Sequence, residues 1–264
     1  MLKKTASCVA PMLFICAHSS ADVIAVCSFE EASSGSKYFD TLDTTSSHQM
    51  LNNDGEMQVN FDGSANEIGF TSWFMPTDYT QSHASGGMAD GSVFGVKDWT
   101  DNANGVQYYT DGVQGFQMSD TDGIGQLRMA EVSGATSVSF DIWVRSTGWE
   151  TYVNASTPLD TFSVGFGAAG VDTANLLDNA GEDLDDWFES NNIVEGDWNS
   201  FTFDLSTLGL STGSLQFSLE VNSSNETLII DNIVFEGQSS GPVVPGAGGL
   251  AVLIGVAGIR RRRR

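Results

Sequence analysis

Carboxylates are the side chains in this sequence with the widest choice of chemistry. The chain of 264 residues contains 34 Asp and Glu but only three histidines. Carboxylate oxygens can bind a hard cation, and two carboxylates can act together on a glycosidic bond. In "SDTDGIG", Asp120 and Asp122 alternate before Gly123, as in short calcium loops. An ordinary Asp-Gly turn explains this spacing equally well.

Other catalytic signatures are missing from the sequence. His48 and His83 are the only histidines outside the N-terminal segment, and no G-x-S-x-G nucleophile motif occurs. The stretch "GFGAAG" (165–170) matches G-x-G-x-x-G, but its surroundings do not predict the βαβ unit of a dinucleotide site. We therefore expect a protein that is not an enzyme, with a carboxylate-based glycosidase as the alternative.

The charge of the chain is distributed very unevenly. All 34 acidic residues lie within 22–236, which has a net charge of −30. The basic residues of this region are Lys37, Lys97, Arg128 and Arg145. Such a field repels phosphate backbones, which excludes nucleic acid as a partner of this region. A cation is the natural partner, and the alternative is an acidic surface that only keeps a secreted protein soluble.

Aromatic residues provide a second kind of binding chemistry, because an exposed indole can stack on a pyranose ring. The candidate ligand-binding residues are Trp143, Trp149, Trp99 and Tyr108. Trp143 is the sharpest candidate, since strand alternation turns it away from Phe140 and Ile142. The alternatives are that these residues belong to the core, or that the predicted helix covers the outer face of the Trp143 strand.

Period-two alternation predicts an all-β fold. In "TSVSFDIWVR", Val138, Phe140, Ile142 and Val144 share one face. Similar runs occur at 162–166, 201–205 and 215–221, and turn clusters separate them. This spacing predicts an antiparallel β-sandwich. One short helix or acidic loop is expected in "TANLLDNAGEDLDDWFES" (173–190).

The N-terminal segment has the features of a signal peptide. Lys3 and Lys4 precede an apolar stretch, and small residues occupy positions 19 and 21. Cleavage after Ala21 would leave Cys27 as the last cysteine, so we expect no intramolecular disulfide.

The C-terminal segment "GPVVPGAGGLAVLIGVAGIRRRRR" (241–264) places an apolar run between a proline-glycine box and an arginine cluster. It resembles sorting tails of the PEP-CTERM type, in the variant with a VPxPG-like box. The residues that carry this resemblance are Pro245, Gly246, Arg260, Arg261, Arg262, Arg263 and Arg264. The second proline and the glutamate of the type are missing, so a GlyGly-type tail, with Gly248 and Gly249, also stays open.

The tail resemblance implies a membrane sorting protease of the exosortase type as a partner. The protein would be held briefly in the inner membrane by its C-terminal helix and then released to the cell surface or exterior. A permanent membrane anchor is the alternative. The expected organisation is a signal peptide (1–21), a β-sandwich ectodomain (22–236), a linker with the sorting box (237–246) and a hydrophobic helix with its arginines (247–264).

The two ends of the ectodomain carry a second resemblance. "VCSFEEA" and "TLIIDNIVFEG" look like the first and last strands of jelly-roll domains of the carbohydrate-binding-module kind. The resemblance implies that these strands lie side by side and that Glu30 and Asp231 help to hold a structural calcium ion. Glu31 is the rival ligand. Calcium also suits the acidic charge, because it requires several hard oxygen ligands.

These observations together predict an exported, surface-sorted jelly-roll module. Its role would be non-catalytic binding or structure in the extracellular matrix, with extracellular polysaccharide as the candidate ligand. The alternatives are a polysaccharide-active enzyme of the same fold and a purely architectural surface protein.

Overall fold

A computed structural model describes residues 21–32, 56–76, 93–100, 106–119, 121, 123–145, 160–168, 174–221 and 226–237. Its strands are β1 Asp22–Cys27, β2 Glu56–Phe61, β3 Phe70–Pro76, β4 Val93–Lys97, β5 Gly115–Ser119, β6 Gly123–Met129, β7 Val132–Ser133, β8 Ala135–Arg145, β9 Thr161–Gly167, β10 Ala174–Asp178, β11 Trp198–Asp204, β12 Thr212–Val221 and β13 Thr227–Gly237. Helix α1 spans Leu184–Ser190, and a 3-10 helix spans Leu205–Leu208.

The strands form two antiparallel sheets. The six-stranded back sheet has the order β11-β8-β13-β5-β4, with β1 also paired to β13. The seven-stranded front sheet has the order β10-β9-β12-β6-β3-β2, with β7 paired to β12. The predicted β-sandwich is therefore confirmed in the part of the chain that the structure describes.

Phenylalanine side chains fill the space between the sheets. Phe140 of the back sheet meets Phe217 of the front sheet edge to face, with 5.0 Å between ring centroids. The fully buried phenylalanines are Phe29, Phe70, Phe94, Phe116, Phe140, Phe162, Phe166, Phe217 and Phe235. The alternating residues of β8, β9 and β12 face this core as predicted. Phe201 and Phe203 are only half-buried, because β11 is an edge strand.

The predicted helix is confirmed only in its second half. Ala174–Asp178 instead forms the edge strand of the front sheet. Helix α1 begins after Asp183, whose side chain accepts hydrogen bonds from two backbone N–H groups of the first turn. Trp187 of the helix packs against Phe162, with 6.0 Å between ring centroids. The helix therefore contributes to the core.

The first and last strands lie side by side, as the second resemblance implies. β1 pairs with β13 over 233–237, whereas β5 pairs with β13 over 227–230. The strand changes partner at Asp231 and Asn232. A bulge interrupts its pairing with β8 there, and Asn232 adopts a positive φ of 50°. This bulge turns Asp231 toward a loop outside the sheet.

We expect Phe140→Ala to lower the free energy of unfolding by about 3–5 kcal/mol, because it leaves a cavity where the two sheets meet. Chemical denaturation followed by tryptophan fluorescence would measure the change. Phe203→Ala is the matched control, since Phe203 is half-buried at the sheet edge. Equal losses for the two variants would contradict this account of the core.

Candidate functional site

Polar side chains line the outer surface of the front sheet. On β6, Gln126 and Arg128 point outward and are half-buried, whereas the intervening Leu127 is fully buried in the core. On β12, Gln216 and Ser218 alternate with core residues in the same way. We define the front-face cluster as Trp73, Gln126, Arg128, Ser163, Gln216 and Ser218, all of which are partly accessible.

The strand register brings four members of the cluster into one row. Trp73 of β3 lies opposite Gln126 of β6, and Gln126 lies opposite Ser218 of β12. Ser218 in turn lies opposite Ser163 of β9. With neighbouring strands about 4.8 Å apart, the row is about 14 Å long.

Arg128 contacts both the Trp73 ring and the Gln216 amide. Its guanidinium carbon lies 4.6 Å from the centroid of the Trp73 ring, a cation–π distance. Its Nε and Nη2 donate hydrogen bonds of 3.1 and 2.8 Å to Oε1 of Gln216. Ring, guanidinium and amide thus hold one another in place within the cluster.

The chemistry of this cluster is that of binding. An indole ring, two amides, two hydroxyls and one guanidinium can pack against an apolar surface and exchange hydrogen bonds with hydroxyl groups. The cluster contains no carboxylate, thiol or imidazole. Glu220 lies on the same face of β12, two residues beyond Ser218, and is buried.

The outer surface of the back sheet is covered around Trp143. Trp143 is only 3% exposed and clusters with Val106, Tyr109 and Ile229. Trp198 packs against the same group. The prediction of Trp143 as an exposed stacking platform is therefore wrong. The segment that covers it precedes β5 in the chain, and helix α1 is not part of this cluster.

Trp99 is engaged on the same side of the molecule. Lys97 Nζ lies 5.1 Å from its ring centroid, and Arg145 Cζ lies 5.8 Å from it. Its carbonyl oxygen accepts a hydrogen bond of 3.0 Å from the Tyr109 hydroxyl. These contacts attach the Trp99 segment to the back sheet.

The other two predicted aromatic residues have different outcomes. Tyr108 is 61% exposed, and its carbonyl oxygen accepts a hydrogen bond of 2.7 Å from Trp198 Nε1. Its ring is thus accessible, but it belongs to the back side of the sandwich. Trp149 lies outside the described residues.

The structure brings Glu30 and Asp231 to one loop, Thr110–Gln114. Oδ2 of Asp231 accepts hydrogen bonds from Thr110 N, Thr110 Oγ1 and Asp111 N at 2.8–2.9 Å. Oε1 of Glu30 accepts two bonds of 2.8 Å, from Val113 N and Gln114 N. The two carboxylates therefore accept hydrogen bonds from neighbouring residues of the same loop.

A third carboxylate, which sequence analysis missed, holds the turn that carries Glu30. Buried Glu67 accepts hydrogen bonds from Ser28 N, Ser28 Oγ and Glu30 N through Oε1, and from Glu31 N through Oε2. The turn needs this support because buried Phe29 has a positive φ of 64°, which is strained for a bulky residue.

The remaining predicted metal ligands do not join this site. Glu31 binds the Asn66 side chain at an exposed position, and Asp120 and Asp122 lie outside the described residues. Among the residues that are described, no three His, Cys, Asp or Glu side chains come together in a group that could hold a metal. Calcium binding stays a prediction.

Burial raises the pKa of Asp231 from 3.8 to about 6, even though hydrogen bonds from Asp111, Thr110 and Asn232 favour its charged form. The side chain is fully buried, so the loss of hydration outweighs these bonds. At neutral pH Asp231 is ionised and accepts all of them.

The front-face cluster could have been found from the sequence only in part. Alternation in "GIGQLRM" and "SLQFSLEV" places Gln126, Arg128, Gln216 and Ser218 on outward faces. It does not show that the two strands are neighbours or that Trp73 lies beside them.

Comparison with solved structures gives distant likenesses. The K2 cleaved adhesin domain of Lys-gingipain is 14% identical, with a TM-score of 0.34, covering 76% of this chain and 98% of that one. A family 11 carbohydrate-binding module from Clostridium thermocellum, in complex with a β-1,3-1,4-mixed-linked tetrasaccharide, is 15% identical, with a TM-score of 0.31 and coverages of 69% and 95%. The K1 cleaved adhesin domain of Lys-gingipain from Porphyromonas gingivalis W83 is 14% identical, with a TM-score of 0.29 and coverages of 81% and 97%. Such low scores carry no conclusion about function.

No protein-family model matches the chain, and no curated protein matches it. Among the residues that the structure describes, no helix has both the length and the apolar character needed to cross a membrane.

The raised pKa of Asp231 predicts a pH-dependent contribution to stability. Between about pH 4 and 6 the folded protein keeps a proton on Asp231 that the unfolded chain has released. Raising the pH through this window should therefore lower the stability of the wild type relative to Asp231→Asn, by up to about 3 kcal/mol. Denaturant unfolding at several pH values would measure this difference.

Asp204→Asn is the control, because it removes an exposed carboxylate. A hydrogen bond from the Ser206 side chain lowers the pKa of Asp204. The stability that this carboxylate contributes is therefore lost as the pH falls, whereas the contribution of protonated Asp231 is lost as the pH rises. A constant difference between wild type and Asp231→Asn from pH 4 to 6 would show that burial does not raise this pKa.

Proposed function

We propose that this chain is a non-catalytic module that binds a neutral glycan through its front-face cluster. The observation that carries the proposal is Trp73, held by Arg128 and lined up with Gln126 and Ser218 on a partly accessible sheet face. An aromatic ring can pack against the C–H face of a pyranose. Amides and hydroxyls beside it can bind the sugar hydroxyls.

Charge favours a neutral glycan over a uronate or a sulfated sugar. The region 22–236 has a net charge of −30, which repels anions at moderate ionic strength. Arg128 is the only cation of the cluster, and Gln216 and Trp73 already engage its guanidinium. An acidic sugar would have to compete with those contacts.

The composition of the cluster also supports a binding role over hydrolysis. Most glycoside hydrolases place two carboxyl groups on either side of the scissile bond. None of the six side chains of the front-face cluster is a carboxylate. Glu220, two residues beyond Ser218 on the same face of β12, is buried. A polysaccharide-active enzyme and a purely architectural protein are the competing functions.

The module is proposed to act outside the cell. The signal-peptide pattern before Asp22 and the PEP-CTERM-like tail support export and sorting by an exosortase-type protease. Strand β1 begins at Asp22, directly after the expected cleavage site, and β13 ends at Gly237, where the linker begins. Removal of both end segments is thus compatible with an intact pair of end strands.

We expect the protein to bind neutral polysaccharides such as mixed-linkage glucan, xylan or mannan more tightly than alginate or polygalacturonate. Trp73→Ala should weaken this binding about tenfold or more, a loss of about 1.4 kcal/mol or greater. Isothermal titration with soluble oligosaccharides, and affinity electrophoresis with polymers, would measure both effects. Tyr108→Ala is the matched control, since it removes an exposed aromatic ring on the back side.

Each competing function has its own outcome in this experiment. Loss of binding in Tyr108→Ala with none in Trp73→Ala would move the site to the back sheet. Release of reducing ends from a neutral polymer would indicate the enzyme. No binding to any of the polysaccharides would favour the architectural role.

Export and sorting predict a defined mature protein. Its N-terminus should be Asp22, and it should lack Arg260–Arg264, because the signal peptidase and the sorting protease each remove one end. Mass spectrometry of the exported protein from its native host would check both ends. Finding the arginines on the exported protein would leave a permanent membrane anchor.

A further inference from the structure

The loop Thr110–Gln114 occupies the junction between the first and last strands. It donates hydrogen bonds to Asp231 of β13 and to Glu30, which follows β1. These are the two side chains that the resemblance to carbohydrate-binding modules would assign to a structural calcium ion. We propose that this loop takes the place of the ion, so that the junction is held by peptide donors and is independent of calcium.

Most of the groups that contact the two carboxylates cannot ligate a cation. Four are backbone N–H groups and one is a hydroxyl, and they lie 2.8–2.9 Å from the carboxylate oxygens. An N–H group cannot ligate calcium and directs its positive end toward the acceptor oxygen. A divalent ion at these oxygens would have to displace donors that already compensate the carboxylate charge.

The carbonyl oxygens at the end of β1 are occupied as well. Calcium sites use backbone carbonyls together with carboxylates. Here the Gln114 side-chain nitrogen donates to the carbonyl oxygens of Phe29 and Ala32, at 2.5 and 2.9 Å. Seven hydrogen bonds from the loop thus reach the acceptors around this strand end. The amide of Gln114 joins two carbonyls in the manner that a cation would.

The loop reaches this position through Gly112. Its φ of +75° is in the left-handed region, and a Cβ there would lie 2.1 Å from Cδ of Glu30. Any other residue at 112 would push the Glu30 carboxylate away from Val113 N and Gln114 N. Glycine therefore permits the close approach on which the junction depends.

The experiment compares melting of the purified protein in millimolar calcium, in chelator, and in chelator with sodium chloride at matched ionic strength. Sodium controls for screening of the −30 charge, which stabilises the fold without any site. We expect equal melting temperatures in calcium and in matched sodium. Gln114→Ala should melt several degrees lower than the wild type in all three solutions, because it leaves two buried carbonyls without their donor.

The proposal is overturned if calcium raises the melting temperature of the wild type above that in matched sodium and Asp231→Asn abolishes this increase. An increase that persists in both Asp231→Asn and Glu30→Gln supports it, since the ion then binds elsewhere. If Asp231→Asn does not fold, Glu30→Gln makes the same comparison. It removes one charge at a half-buried position and keeps an oxygen for Val113 and Gln114. Calcium dependence lost in Glu30→Gln also overturns the proposal.

Discussion

Three carboxylates that accept backbone N–H groups organise one end of this sandwich. Glu67 holds the turn after β1, where Phe29 has a left-handed backbone and a fully buried ring. That turn presents Glu30 to Val113 and Gln114. Backbone N–H groups outside the sheet ladders need other acceptors, and each carboxylate accepts at least two of them. The packing of Phe29 in the core therefore depends on charged side chains at its border.

The same interactions help to cover part of the back sheet. Because Asp231 holds Thr110 and Asp111, the segment before them is brought over the back sheet, where Val106 and Tyr109 bury Trp143. Cation–π contacts with Lys97 and Arg145 also attach Trp99 to the back sheet. The six residues of the front-face cluster keep partial exposure. The hydrogen bonds at this strand junction thus help to cover Trp143.

The basic residues have structural roles that suit this strongly acidic chain. Arg128 lies over Trp73 in the front sheet, and Lys97 and Arg145 lie near Trp99 in the back sheet. A guanidinium or ammonium group over an indole ring stabilises both partners. In the part of the chain that the structure describes, each of these cations therefore positions a tryptophan.

The sequence by itself determined strands β8, β9, β11 and β12, whereas it placed β10 in a helix. Alternation in β8, β9 and β12 assigns their inward residues correctly, because side chains on a strand alternate between two faces. The resemblance to jelly-roll end strands singled out Glu30 and Asp231, which accept hydrogen bonds from backbone N–H groups and the Thr110 hydroxyl. Only the tertiary structure decided that Trp143 is buried, that Trp73 is partly accessible, and that Glu67 supports Glu30. Alternation tells which side of a sheet a residue faces, whereas coverage of that side depends on contacts between segments far apart in the chain.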